Sequence, residues 1–271
     1  MAVVLITELL GGSALVAAPA ATPPSPRSAV PAPSPLVVGD GRTVRLISLG
    51  GDRTDGLLTR IAGDIGDAVA AVERFWGTDW DREIVVIATG SQQEFLAQAG
   101  LDPRGQWQDI AAVSVADQVD LAHHRASGQR MVFAPGAVEM SDQSLRIVLT
   151  HELFHLAARA DTALDAPRWL VEGVADFVAR PPTPLPPTAA ADTALPADAD
   201  LDAAGPQRVH GYDRAWWFAR FVADTYGVDA LRRLYTEACG PGHGDFATAV
   251  RRALDTDTTE LRARWARWLT G

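Results

Sequence analysis

The sequence predicts an α+β fold: a small mixed β-sheet with helices in the first half, a buried helix closing that half, and a mostly helical second half. Three observations predict it. Short β-branched runs alternate with amphipathic stretches between residues 43 and 134. A strongly apolar helical stretch follows at 141–159, and residues from 167 onward read as helix apart from one proline-rich interruption. A chain of 271 residues, 47% hydrophobic, is long enough to bury a real core.

The elements follow in order. Residues 43–49 (TVRLISL) alternate as a strand. Residues 55–76 place Leu58, Ile61, Ile65, Val69, Val72, Phe75 and Trp76 at helical spacing. EIVVIAT at 83–89 reads as a strand of buried character, followed by a short helix at 92–99. Residues 110–115 and 130–134 are further strands, with His123 and His124 in a loop or turn between them. Ser141 and Asp142 are cap candidates for the helix at 141–159, and Pro167 suits the first turn of a helix at 167–178. Stretches at 212–226, 230–238, 245–254 and 259–269 complete a helical tail. The segment 181–206 is expected to be a long surface loop within the domain.

Ahead of the folded part, residues 1–21 resemble a secretory signal. An apolar run leads into small residues around Ala18 to Ala21, although no basic residue precedes it and Glu8 interrupts it. Residues 22–35 form a Pro-rich linker of extended, polyproline-like character. These features predict an exported, extracytoplasmic protein whose domain spans 36–271, held near a membrane or cell wall by the N-terminal segment. The net charge is −10, with all 24 basic residues arginine and scattered, which argues against a nucleic-acid partner. Neither Lys nor Asn occurs, a pattern that fits GC-rich coding. The single cysteine, Cys239, excludes an intrachain disulfide and a cysteine-based metal cluster, and reads as a small buried thiol.

The chemistry-bearing motif is His151-Glu152-Leu153-Phe154-His155, an H-E-x-x-H on a predicted helix. A spacing of four puts both imidazoles on one face, one turn apart, where two nitrogens can hold one metal ion. Glu152 is then placed to take a proton from water at the metal and pass it to a leaving amine. From the composition, about 0.004 such matches are expected by chance. A catalytic zinc wants three protein ligands and an open position. Glu172, seventeen residues after His155 in the apolar stretch WLVEGVAD, is the candidate third ligand, unless an arginine pairs with it instead. Asp176, one turn further, can accept the second N–H of His151 and fix its tautomer. His123, His124 and His243 read as surface or satisfied histidines.

HELFH together with WLVEGVAD resembles the gluzincin zinc metallopeptidases, specifically the peptidase MA-like family. The similarity covers about residues 130–227 well and weakens through the tail, while the first third is only generic strand and helix. The resemblance implies a zincin-like fold with the cleft between the two halves, a zinc ion on His151, His155 and Glu172, and a peptide or protein substrate cut by an endopeptidase. It also implies an oxyanion-stabilising side chain after the glutamate. Tyr212 is favoured there over His210, because the spacing from Tyr212 to Phe218 is similar to that of relatives. The strand at 130–134 is expected to be the edge on which an extended peptide adds. Residues 136–140 (GAVEM) only partly match the aminopeptidase Gly-x-Met-Glu-Asn motif and leave endopeptidase as the expectation. Two other readings stay open: a catalytically silent zinc-binding module of the cell envelope, and a metal-dependent hydrolase acting on another bond.

Overall fold

The computed structural model describes residues 36–271 apart from Gln106 and Gln108, so the signal-like segment and the linker lie outside the described residues. The order is β1 (Leu36–Val38), β2 (Arg42–Ser48), α1 (Asp52–Trp76), β3 (Glu83–Ala88), α2 (Gln92–Ala99), β4 (Ala112–Val115), β5 (Gln118–Asp120), β6 (Arg125–Ser127), β7 (Arg130–Phe133) and α3 (Asp142–Ala158). The second half contains α4 (Arg168–Ala179), α5 (Asp198–Leu201), α6 (Pro206–Tyr226), α7 (Val228–Cys239), α8 (Phe246–Leu254) and α9 (Thr258–Thr270). The α+β expectation holds: a small mixed sheet and a helical second half. Among the described residues no helix is long and apolar enough to cross a membrane.

The five-stranded sheet runs β1-β2-β3-β7-β4, parallel at its centre and antiparallel at both edges. Its alternation sorts two cores. Ile84, Val86, Met131 and Phe133 face α1 and α3, whereas Val85, Ile87, Val113 and Val132 pack on the other face with Phe95 of α2. β3 is therefore buried on both sides, as its unbroken apolar run predicts.

The expectation of an edge at residues 130–134 is wrong. β7 is paired on both sides, parallel to β3 and antiparallel to β4, so β4 is the edge. The chain leaves β4 through the β5–β6 hairpin and returns inside it, an insertion that no periodicity in the sequence encodes. The Ala134 N–H donates to the Ala111 carbonyl at 2.9 Å. With Ala112 opposite Phe133 in the register, the backbone groups of Val113 and Val115 face β7 and those of Ala112 and Ser114 face away.

α3 starts at Ser141, whose hydroxyl accepts the Ser144 N–H, with Asp142 favourable in the first turn. From Val148 to Ala158 every residue is buried, between the sheet, α1 and α4. α4 follows a short turn, and Pro167 caps it from outside rather than entering its first turn. Gly173 sets the distance between α4 and α6, because a Cβ there would lie 2.4 Å from the Ala215 carbonyl oxygen. α6 begins at Pro206, six residues earlier than expected, since Pro at the first helical position lacks only an N–H that has no partner there anyway.

The Pro-rich segment 181–206 lies mostly exposed on the surface, as expected, and is tied down at a few points. Ala189 and Leu201 are buried, and the Ala194 carbonyl accepts from both Trp265 Nε1 at 3.1 Å and Arg214 at 2.6 Å. Arg214, itself buried, also pairs with Asp192 and Asp200. Proline prevents long helix here, but the intervening apolar residues still seek the core. Cys239 is buried, as expected.

Candidate metal centre

His151 and His155 stand one turn apart on α3, and Glu172 faces them from α4. Their donor atoms lie within 4.8 Å of one another. The two Nε2 atoms are 2.9 Å apart; Glu172 Oε2 is 3.2 Å from His151 Nε2, and Oε1 is 3.8 Å from His155 Nε2. Ligand atoms about 2.0–2.1 Å from a tetrahedral ion lie about 3.3 Å from each other, so this donor set fits a single divalent cation. Exposure is 0% for His151, 4% for His155 and 2% for Glu172, which leaves the His155 side as the approach from solvent.

The next layer of contacts fixes the histidines. Asp176 Oδ1 is 3.1 Å from His151 Nδ1, which directs Nε2 at the common point. Asp176 Oδ2 accepts from Arg180 at 3.1 Å, and Arg180 reaches Asp213 of α6 at 2.9 Å while lying over the Trp216 ring. The Asp176–Arg180 spacing of four was legible as a helical ion pair, but nothing in the sequence tied it to Asp213.

Electrostatics separate the two imidazoles. Burial opposes charge on His151, yet its hydrogen bonds to Asp176 and Glu172 outweigh this and raise its pKa to about 10. His155, by contrast, is held well below the ordinary value by burial, then by the charges of His151 and Arg159.

Glu152 is fully buried beside this cluster, and neither carboxylate oxygen has a hydrogen-bond partner among the described residues. Burial pushes its pKa up to about 8; Glu172 adds to the rise, while the charges of His151 and Arg159 oppose it. A carboxyl left without partners in the interior is costly, and such costs concentrate where a group has chemistry to perform.

The structure separates Tyr212 from His210. Two residues apart on α6, they face opposite ways. Tyr212 is buried near Glu172 and Asp176; burial first, then those two carboxylates, raise its hydroxyl pKa far above the ordinary value, so it remains a donor. His210 is exposed, edge-on to Trp217, in a groove with Asp200 and Arg214. His123 and His124 are exposed and pair with Asp120 and Asp161, and His243 contacts Asp165 and the Gly244 carbonyl, all outside the cluster.

Sequence reasoning missed Arg159, which extends the stripe His151–His155 by one more turn and donates to the Ser114 carbonyl of β4 at 2.7 Å. Its signal was the repeated spacing of four. No protein-family model matches this chain, and no curated protein matches it in sequence.

Proposed function

We propose that the protein is a zinc-dependent peptidase of the gluzincin type, with a zincin-like arrangement of edge strand, ligand helix and glutamate helix. The observation that carries this reading is the buried His151–His155–Glu172 donor set beside a buried, unpartnered Glu152 carboxylate. A structural metal site has no use for that fourth side chain.

A zinc ion held by His151, His155 and Glu172 supplies Lewis acidity, which activates water at neutral pH. Glu152 receives the proton of the attacking water and delivers it to the leaving amine. Tyr212, which stays protonated, donates to the oxyanion that develops on the scissile carbonyl. Asp176, braced by Arg180, holds His151 in the required tautomer. An extended peptide adds to β4, whose Ala112 backbone and Ser114 N–H face away from the sheet, while the Ser114 carbonyl is taken by Arg159. The apolar N-terminal segment and Pro-rich spacer support action outside the cytoplasm.

A second reading has one observation in its favour: the cluster is almost wholly buried, as in a metal-holding module without turnover. The test uses the full chain. Elemental analysis should find about one zinc per chain, lost in Glu172→Ala. Glu152→Gln should keep the metal and lose cleavage of a peptide library. No zinc uptake refutes the metal reading, and full uptake with no cleavage by the wild type leaves the silent module.

A further inference from the structure

The peptidase reading names a bond class but not what the cleft selects. The small cleft at the exposed side of His155 is lined by His155, Arg159, Val119, Leu164, Val171 and Tyr235, with Thr162 at its wall. Apart from the ligand, Arg159 is its one charged group. The Tyr235 hydroxyl and Thr162 Oγ1 engage each other at 2.7 Å, so they are already occupied. Arg159 spends one donor on the Ser114 carbonyl, while its Nε is buried without a hydrogen-bond partner, and it forms no ion pair among the described residues. Many other arginines of this acidic chain do have carboxylate partners, including the buried Arg42 and Arg214.

An arginine that makes no ion pair among the described residues and leaves Nε without a hydrogen-bond partner is suited to a carboxylate brought in from outside. Its position sets the distance. Arg159 follows His155 by four residues, about 6 Å along the helix, and an extended peptide advances about 3.3 Å per residue. The bond to Ser114 places the guanidinium against the outward backbone of β4, the path of a peptide added there.

We propose that Arg159 is a substrate-binding residue that recognises a peptide carboxylate within about two residues of the scissile bond. This rests on the peptidase reading, and it specifies the substrate class of that site. The carboxylate comes from the C-terminus of a short peptide or from an Asp or Glu side chain, and both present the same chemistry to the guanidinium.

The test reads binding rather than turnover. Full-length Glu152→Gln protein, loaded with zinc, is titrated with labelled peptides in matched pairs: free acid against C-terminal amide, and Asp or Glu against Asn or Gln. The acidic member of one pair should bind about tenfold or more tightly, as a charge-assisted hydrogen bond would give, and the pair that responds identifies the source. In the Arg159→Gln, Glu152→Gln double variant the preference should vanish, while Arg159→Lys, which keeps the charge without the fork, should retain part of it. A merely structural Arg159 would weaken both members of each pair equally and leave their ratio intact. Equal binding within both pairs, no binding by any peptide, or a preference that survives Arg159→Gln overturns the proposal. Cleavage by the wild type is scored separately. A carboxylate preference without cleavage refutes the peptidase reading and leaves Arg159 as an anion-binding residue.

Discussion

Metal uptake should expel a proton from His151, and the expected amount separates this site from an ordinary pair of histidines. An unperturbed imidazole is about one-quarter protonated at pH 7, so two of them would release about half a proton when they coordinate. Here His155 is held neutral, and His151, raised to about 10 by Asp176 and Glu172, is fully charged at pH 7. Zinc needs the neutral Nε2, so one whole proton must leave His151, and the apparent affinity should climb about tenfold per pH unit between pH 7 and 9. Glu152, pushed to about 8, adds up to a second proton when a cation draws it into ionised form. Calorimetric titration of the metal-free full chain in buffers of different ionisation enthalpy counts the protons, and Glu152→Gln isolates the His151 share. Release of half a proton or less from that variant at pH 7, or an affinity flat from pH 7 to 9, would refute the reasoning. The same shifts set the sign for metal-free stability. His151 contributes stability that is complete below pH 6.5 and is lost as pH rises toward about 10, and the folded state likewise favours protonated Glu152 between about 4.5 and 8. The unfolding midpoint without metal should therefore fall between pH 6 and 9.

Other substitutions probe the supports. Asp176→Asn leaves a partner for His151 but presents an amide to Arg180, and should weaken zinc binding about 10- to 100-fold in a chelator competition; an unchanged affinity in a folded variant would remove Asp176 from the site. Tyr212→Phe should keep zinc and lower kcat about 100-fold or more, while His210→Ala changes neither; the reverse ranking in steady-state kinetics would reassign the oxyanion donor. Gly173→Ala puts a methyl group 2.4 Å from the Ala215 carbonyl oxygen and should destabilise the fold by about 1–3 kcal/mol in urea unfolding. An unchanged midpoint there would mean that α4 and α6 separate without cost.

The parts of the molecule that local rules govern were legible beforehand. Helical spacing located the buried face of α1, the unbroken apolar run marked β3 as buried, and a spacing of four put His151 and His155 on one face of α3. Glu172 was legible for a different reason: an acid inside an apolar helix needs a partner, either a metal held with the α3 histidines or an arginine. What stayed hidden depends on how distant segments meet. The insertion of β7 between β3 and β4 moved the edge to Ala112–Val115, and the length of the hairpin before it gives no hint of this. The tethering of 181–206 depends on Arg214, a residue whose neighbours in sequence are aromatic and apolar and whose carboxylate partners lie 14 and 22 positions earlier.

The hidden features also set the surroundings of Arg159. His151 and His155 lie on α3 and Arg159 caps its C-terminal end, yet the stripe divides at the strand it meets. His151 and His155 turn toward α4 and its carboxylate, while Arg159 turns to the outward carbonyl of Ser114. Had β7 been the edge, no strand backbone would stand where Arg159 donates, and the guanidinium would have had to find a carboxylate or solvent. With β4 there, the outward carbonyl of Ser114 anchors Arg159. The placement of Arg159 therefore depends on the register of β4. A displacement of β4 by one residue would turn the Ser114 carbonyl away from Arg159 and release the guanidinium from the strand.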